Sequence, residues 1–467
     1  MDLNPASSVR ITALIKNFLN AFTSMQFEKA REVAETERAR VLWSTTPPVR
    51  IWQTLLATIG QVAVVEGLYF SLSFFMSKFS FRKENHIRDT YAQLRTEFQR
   101  SHDAIIEQKS SVSDVDCALI CDIAREFITL TSCRMELIAF YMGLSGKDWK
   151  SVVDESIIRI SEIQQIHQKP QESDSTEPLP ATNFGLCQNC EKELDVLQQL
   201  FYIQRGIAAC NMVDSLIRLK NLRLLLSTWF SQFDTGIQMK PSTSFALFSF
   251  TKKTKSTSTK LALLHFLNHF YQTLLAKFSL YFNDVLVPYS PTNECKMALN
   301  ANGNNNFIHF VHIFAKKNNP QMICILTNRL ELDTPFYGFG YHKFLSKFSN
   351  EYCKPAIGIN EKYPPLFIYP QDKRLFDSLH VNIISFVQDI WLNQQNPELI
   401  DGKIKHLFDK NKEQSFFTAC IEANIHLVVV FDRRVQEKEG PVVTFFNDAL
   451  QGLRLVKLFQ DLRNFAK

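Results

Sequence analysis

Through most of its first 285 residues the chain returns apolar side chains at three- and four-residue spacing, and it keeps proline almost entirely out of the repeating segments. That period builds helices with one buried stripe and does not suit half-buried strands, which repeat every two residues. The presence of only 14 glycines among 467 residues points the same way, because a turn-rich all-β fold would use more. The spacing predicts helices over about 9–34, 49–77, 87–107, 114–142, 149–168, 191–230 and 261–285. Two breakers separate the later ones. Residues 169–180 are polar and proline-rich, and 238–260 contain the basic Ser/Thr tract Lys252-Lys253-Thr254-Lys255-Ser256-Thr257-Ser258-Thr259-Lys260.

From residue 286 the texture changes. Pro288, Pro291 and the asparagine-rich run 300–306 mark a boundary, and a short helix over 307–316 follows. Apolar runs of strand length come next, at 322–326, 366–369, 381–386, 416–421 and 425–431, and a helix over 442–466, broken near Gly452, follows them. The expectation is a multidomain α and α+β chain. Residues 1–285 form an antiparallel helical bundle with loops near 169–190 and 238–260, and 286–467 form a sheet covered by helices. By fold-level analogy the second part has a roadblock-, longin- or profilin-like layout. A length of 467 residues, beyond what one core usually supports, fits two domains.

Charge narrows the function classes. Lysine and arginine number 52 against 47 acidic residues, a balance too even for an obligate nucleic-acid binder. The ten cysteines are scattered, and Met1-Asp2-Leu3-Asn4-Pro5 lacks a basic n-region and an apolar h-region, so a reducing cytosolic setting with free thiols is expected. The run 51–75 is apolar enough to resemble a membrane anchor, but Gln53, Gln61 and Glu66 interrupt it. A core helix is expected there.

The motifs that would carry chemistry are incomplete. Cys187-x-x-Cys190 has half a zinc-ribbon spacing and no second pair. His265 and His269 lie one turn apart, yet Phe266 stands where a zinc protease needs glutamate, and His309 and His312 read alike as bundle histidines. Gly146-Lys147 lacks the Ser/Thr of a phosphate loop, and Gly338-Phe339-Gly340 opens no helix. No catalytic residue, cofactor or metal is expected. Partner contacts are expected at the charged start Arg82, Lys83 and Arg88, and at the aromatic loop Phe339, Gly340, Tyr341 and His342.

Two helical segments are more particular than generic helix grammar: Arg134-Met135-Glu136-Leu137-Ile138-Ala139-Phe140-Tyr141 and Leu274-Leu275-Ala276-Lys277-Phe278-Ser279-Leu280-Tyr281-Phe282. With Trp52, Glu66, Tyr69, Arg82-Lys83-Glu84, Tyr91, Asp195-Val196-Leu197, Trp229, Gly340-Tyr341-His342 and Val428-Val429-Val430-Phe431 in this order, the chain resembles the subunit-2 family of the KICSTOR complex. The resemblance implies a non-enzymatic scaffold or adaptor. Its partners would be the other KICSTOR subunits, including their large scaffold protein, and the GATOR GTPase-activating complex. It also implies cytoplasmic protein recruited through partners to the lysosomal membrane, restraining TOR signalling under amino-acid shortage. The alternatives are a ligand-regulated enzyme with a dispersed site and a membrane-traffic adaptor binding a small GTPase.

Overall fold

The computed structural model describes residues 6–41, 47–76, 86–107, 114–144, 146–147, 150–168, 184–233, 261–283, 307–328, 363–392 and 403–465. Nine helices come first among them: α1 (Ala6–Thr23), α2 (Phe27–Val41), α3 (Pro47–Phe70), α4 (His86–Glu107), α5 (Asp114–Leu144), α6 (Val152–Gln168), α7 (Gln188–Ala208), α8 (Met212–Phe230) and α9 (Ala262–Tyr281). Each packs on the next in the chain, and α9 returns to lie against α3, α7 and α8.

Two expected helices are each split in two. The span 9–34 breaks after Thr23, where Met25 takes a left-handed φ of 56°. The N–H groups of Met25 and Gln26 donate to Phe22 O and Ala21 O at 3.0 and 2.9 Å, which satisfies the last carbonyls of α1. The span 191–230 breaks the same way at Cys210 (φ 54°), after which Asn211 caps α8 by accepting from the Asp214 N–H at 3.3 Å. Neither turn contains the glycine that would have announced it in the sequence.

The second part runs α10 (Phe307–Asn318), β1 (Met322–Thr327), β2 (Pro365–Tyr369), α11 (Lys373–Leu392), β3 (Lys405–Asp409), β4 (Gln414–Glu422), β5 (Ile425–Phe431), α12 (Gly440–Leu453) and α13 (Val456–Phe465). The expected strand over 381–386 is a correction, because it lies inside α11. Its β-branched residues look strand-like alone, but Phe376, Leu379, Ile383, Phe386 and Val387 are the buried set, at helical spacing. Asp372 Oδ1 caps this helix, accepting from the N–H groups of Arg374 and Leu375 at 3.0 and 3.1 Å. β3 was not anticipated, since Lys405-His406-Leu407-Phe408-Asp409 is too polar to read as a strand.

The five strands form one antiparallel sheet in the order β2-β1-β5-β4-β3. Alternation divides its side chains cleanly. Met322, Cys324, Leu326, Phe416, Val428 and Val430 face α11 in a small core. Ile323, Ile325, Phe417, Ala419, Leu427 and Val429 face the other way, and join α10, α12, α13 and the nine helices in one contiguous core. Phenylalanine bridges these layers: Phe201 of α7 lies 5.5 Å from Phe270 of α9 and 6.2 Å from Phe459 of α13. The expected boundary at 285–286 lies outside the described residues.

The stretches Val49–Phe70 and Ala118–Leu144 are long and apolar enough to cross a membrane, by length and composition. In the folded chain both pack against other helices, and Glu66 of the first meets Arg134 of the second.

Candidate functional site

Arg134 is the largest charged side chain in the core and is fully buried. It sits on α5, and α3, α4 and α7 aim partners at it. Its Nε donates to Glu66 Oε1 at 2.8 Å and its Nη2 to Glu66 Oε2 at 3.0 Å, while Nη1 donates to Glu193 Oε2 at 2.5 Å. Three phenols complete the set. Tyr91 donates to Glu66 Oε1 at 2.8 Å, and Tyr69 and Tyr141 donate to Glu193 Oε1 at 2.6 and 2.8 Å. All four carboxylate oxygens are thereby engaged, and the guanidinium also lies 4.1 Å from the centroid of the Tyr69 ring.

One cation faces two acids here without water, so the electrostatics depend on the balance between desolvation and pairing. Burial pushes the Glu193 carboxyl upward, and Arg134 and the tyrosine hydroxyls only partly oppose it. Burial disfavours the charge on Arg134, but Glu66, then Tyr69 and Glu193, outweigh it and raise the guanidinium well above its ordinary value. Burial, with the neighbouring glutamate, drives Tyr69, Tyr91 and Tyr141 well up, so they remain donors at any physiological pH. A network this saturated holds helices in register; it offers no open position to a substrate.

A second buried charge joins the helices to the sheet. The three protons of Lys277 Nζ, on α9, meet three acceptors: Glu422 Oε1 on β4, Leu453 O at 2.8 Å and Gln204 Oε1 at 3.3 Å. Gln204 of α7 returns its own Nε2–H to Glu422 Oε1 at 2.7 Å. Leu453 ends α12, so Lys277 also satisfies a carbonyl that the helix leaves over. Nearby, Trp229 donates to Asn189 at 3.1 Å, and Asn189 donates to Thr23 O at 3.0 Å, tying α8, α7 and α1.

Of the residues expected to meet partners, Arg88 is half-buried in the first turn of α4. Arg82, Lys83, Phe339, Gly340, Tyr341 and His342 lie outside the described residues, as does the basic tract 252–260. Cys187 and Cys190 are buried, and a hydrogen bond between the Cys190 thiol and Cys133, then burial, raise the Cys190 thiol well up. Cys121, Cys133, Cys187, Cys190, Cys210, Cys324 and Cys420 are free thiols. Burial lowers His265 and His269, the latter tilted against Phe465 with ring centroids 5.6 Å apart, and His312 meets the Tyr369 ring edge-on at 5.2 Å. Among the described residues no group of three His, Cys, Asp or Glu is placed to hold a metal ion.

The two networks were not expected from the sequence, although their signal was there. Glu66 interrupts an apolar run, and Arg134, Tyr141 and Lys277 are polar or phenolic positions of the two particular segments. Their roles as partners emerge only when four helices meet.

The fold defines the class of protein: a helical bundle that shares one core with a C-terminal α+β sheet, its buried charges joining the elements. Comparison with known proteins makes the class specific. The chain matches the family described as KICSTOR complex C12orf66 like over residues 4–467, and it belongs to that family. It is 24% identical over 473 residues to the KICSTOR subunit 2 of Danio rerio, covering 100% of this chain and 98% of the relative. The KICSTOR subunit 2 of Xenopus laevis is 22% identical over the same length, with 99% of each chain covered. The chain is thus a distant member of a family of complex subunits, matched along nearly all of the sequence.

Proposed function

We propose that this chain is the subunit-2 scaffold of a KICSTOR-like complex, tethering the GATOR GTPase-activating complex at lysosomes and so restraining TOR signalling when amino acids are scarce. It acts by binding, without catalysis, and reaches the membrane through its partners. The observation that carries this reading is the family match along the whole chain, 4–467. The buried Arg134 and Lys277 networks support it, because they commit these charges to joining helices and sheet. The test is affinity purification of the tagged chain from its own cells, with mass spectrometry after a moderate-salt wash. A very large scaffold protein together with GATOR subunits is the expected result. A chain that elutes alone and monomeric would overturn the reading.

A further inference from the structure

The α8 helix is apolar on two sides. Its inner face buries Met212, Leu219, Leu222, Leu226 and Trp229. Its outer face carries Val213, Ile217 and Leu224, which are 40, 54 and 57% exposed and fall on one helical stripe with Lys220 and Asn221 between them. Beside this stripe runs a furrow of about 510 Å³ between α7 and α8, lined by Asp195, Gln199, Ile217, Arg218, Asn221 and Leu225 among others.

The charges along the furrow are ordered. At one end the Tyr202 ring stands between Arg205 and Arg218, whose guanidinium carbons are 4.7 and 4.9 Å from its centroid. Arg218 is neutralised by Asp214 at 2.8 Å and steadied by Gln199 at 3.2 Å. Arg205 at that end, and Lys220 level with Gln199 at the middle of the furrow, are exposed and have no acidic partner among the described residues. At the other end Asp195 is exposed and has no basic partner there. The furrow therefore runs from uncompensated positive charge to uncompensated negative charge with an apolar stripe alongside.

We infer that this furrow receives an amphipathic helix of another subunit, acidic from the end that meets Arg205 to the middle that meets Lys220, and basic at the far end where it meets Asp195. The inference rests on the complex-subunit reading above and names the surface that reading needs. Arg205 and Asp195 are separated along α7 by about 15 Å at helical rise, so the incoming helix carries its opposite charges roughly ten residues apart. Between them it presents apolar residues at i, i+4 and i+7 to Ile217 and Leu224. A second copy of this chain fits poorly. Antiparallel pairing of two α8 helices would set Ile217 against Leu224 of the other copy, but it would also bring the two Lys220 ammonium groups together near the dyad, with no acidic residue on the exposed stripe to offset them.

The experiment places a benzophenone amino acid at Asn221, exposed on the furrow, in the full chain expressed in its own cells, and sequences the peptide it captures. The expected peptide comes from another protein and reads as an amphipathic helix with acidic and basic ends at that spacing. Arg205→Glu with Lys220→Glu should cut its capture roughly tenfold, by replacing attraction with like-charge contact, while the circular-dichroism melt stays put. Capture of α8 from a second copy, capture of lipid, no capture, or a yield indifferent to the two substitutions would each overturn the inference. Failure of the complex reading looks different: the unlabelled wild-type chain then recovers no KICSTOR-type partner. If instead wild type and the double variant recover the same partners equally, only the furrow assignment falls.

Discussion

A buried guanidinium flanked by two buried carboxylates, as at Arg134, sets the terms at the residue scale. Such a group adds little net stability as a pair, because desolvation cancels most of the Coulomb gain, but removing one member leaves bare charge in the core. Arg134→Leu should therefore cost about 3–5 kcal/mol, read from urea unfolding, whereas changing Arg134, Glu66 and Glu193 to Leu together with Tyr69, Tyr91 and Tyr141 to Phe should recover most of that loss, since no buried donor is then left unpaired. If the single variant unfolds at the wild-type urea midpoint, the network is not the register device described here. His426 makes the second prediction. It is fully buried on β5, and burial alone lowers it to about 3 from 6.5. A base whose folded value is depressed stays neutral in the native state while the unfolded chain takes up a proton. Stability is thus intact above the unfolded value near 6.5 and is lost as pH falls toward 3, by on the order of 4 kcal/mol in full. Glu193 runs the other way: its raised folded value means native protein holds the proton longer, so stability declines as pH rises from 4.5 to that value. Replacing His426 by Asn should flatten the dependence between pH 4 and 6.5, and parallel profiles for wild type and variant would refute the assignment.

Between elements, the turn from α7 to α8 shows how close approach is secured. A Cβ on Gly206 would come within 2.6 Å of Ser215 Oγ, a hydroxyl already committed to Asn211 O at 2.7 Å. Gly206→Ala should cost about 1–3 kcal/mol through overpacking. Adding Ser215→Ala should return at least half of it, and strictly additive melting shifts for the two changes would speak against this contact. The turn also marks where the sequence stopped being informative. Helix existence was legible from period alone, and so were β1, β4, β5 and the break near Gly452, because each is encoded within one window of chain. The breaks at Met25 and Cys210 were not, since a left-handed residue other than glycine is held by its surroundings rather than by its own preference. The 381–386 run was misread because its β-branched residues outvoted a burial pattern visible only once the sheet lay beneath it. At the buried networks the charged members were legible as interruptions of apolar helices. Their pairing was not, because Arg134 lies 68 residues from Glu66 and 59 from Glu193.

For the molecule as a whole, the decisive feature is that one face of the sheet and the helical bundle share a single core, with Lys277 at their seam. Apolar contact across the seam is broad, so sheet and bundle should open together, and the slowest-exchanging amides of β4, β5, α5 and α7 should fall in one class. Lys277 adds direction to that contact. Its ammonium holds the end of β4, the end of α12 and the side of α7 at one point. In Lys277→Met the side chain keeps its length, but Glu422 is left with the Gln204 amide alone and the Leu453 carbonyl loses its side-chain donor inside the core. The cost, again about 3–5 kcal/mol for a broken buried pair, falls on the seam and not on the Arg134 network inside the bundle. Hydrogen exchange followed by mass spectrometry should then show β4 and β5 exchanging well before α5, with the two regions no longer in one class. Removing the orphaned acid as well, with Glu422→Leu in the same chain, should bring the classes back together. A uniform rise in exchange across β4, β5 and α5 in Lys277→Met would mean that the apolar core alone couples the two parts, and that Lys277 contributes stability without serving as their fastening.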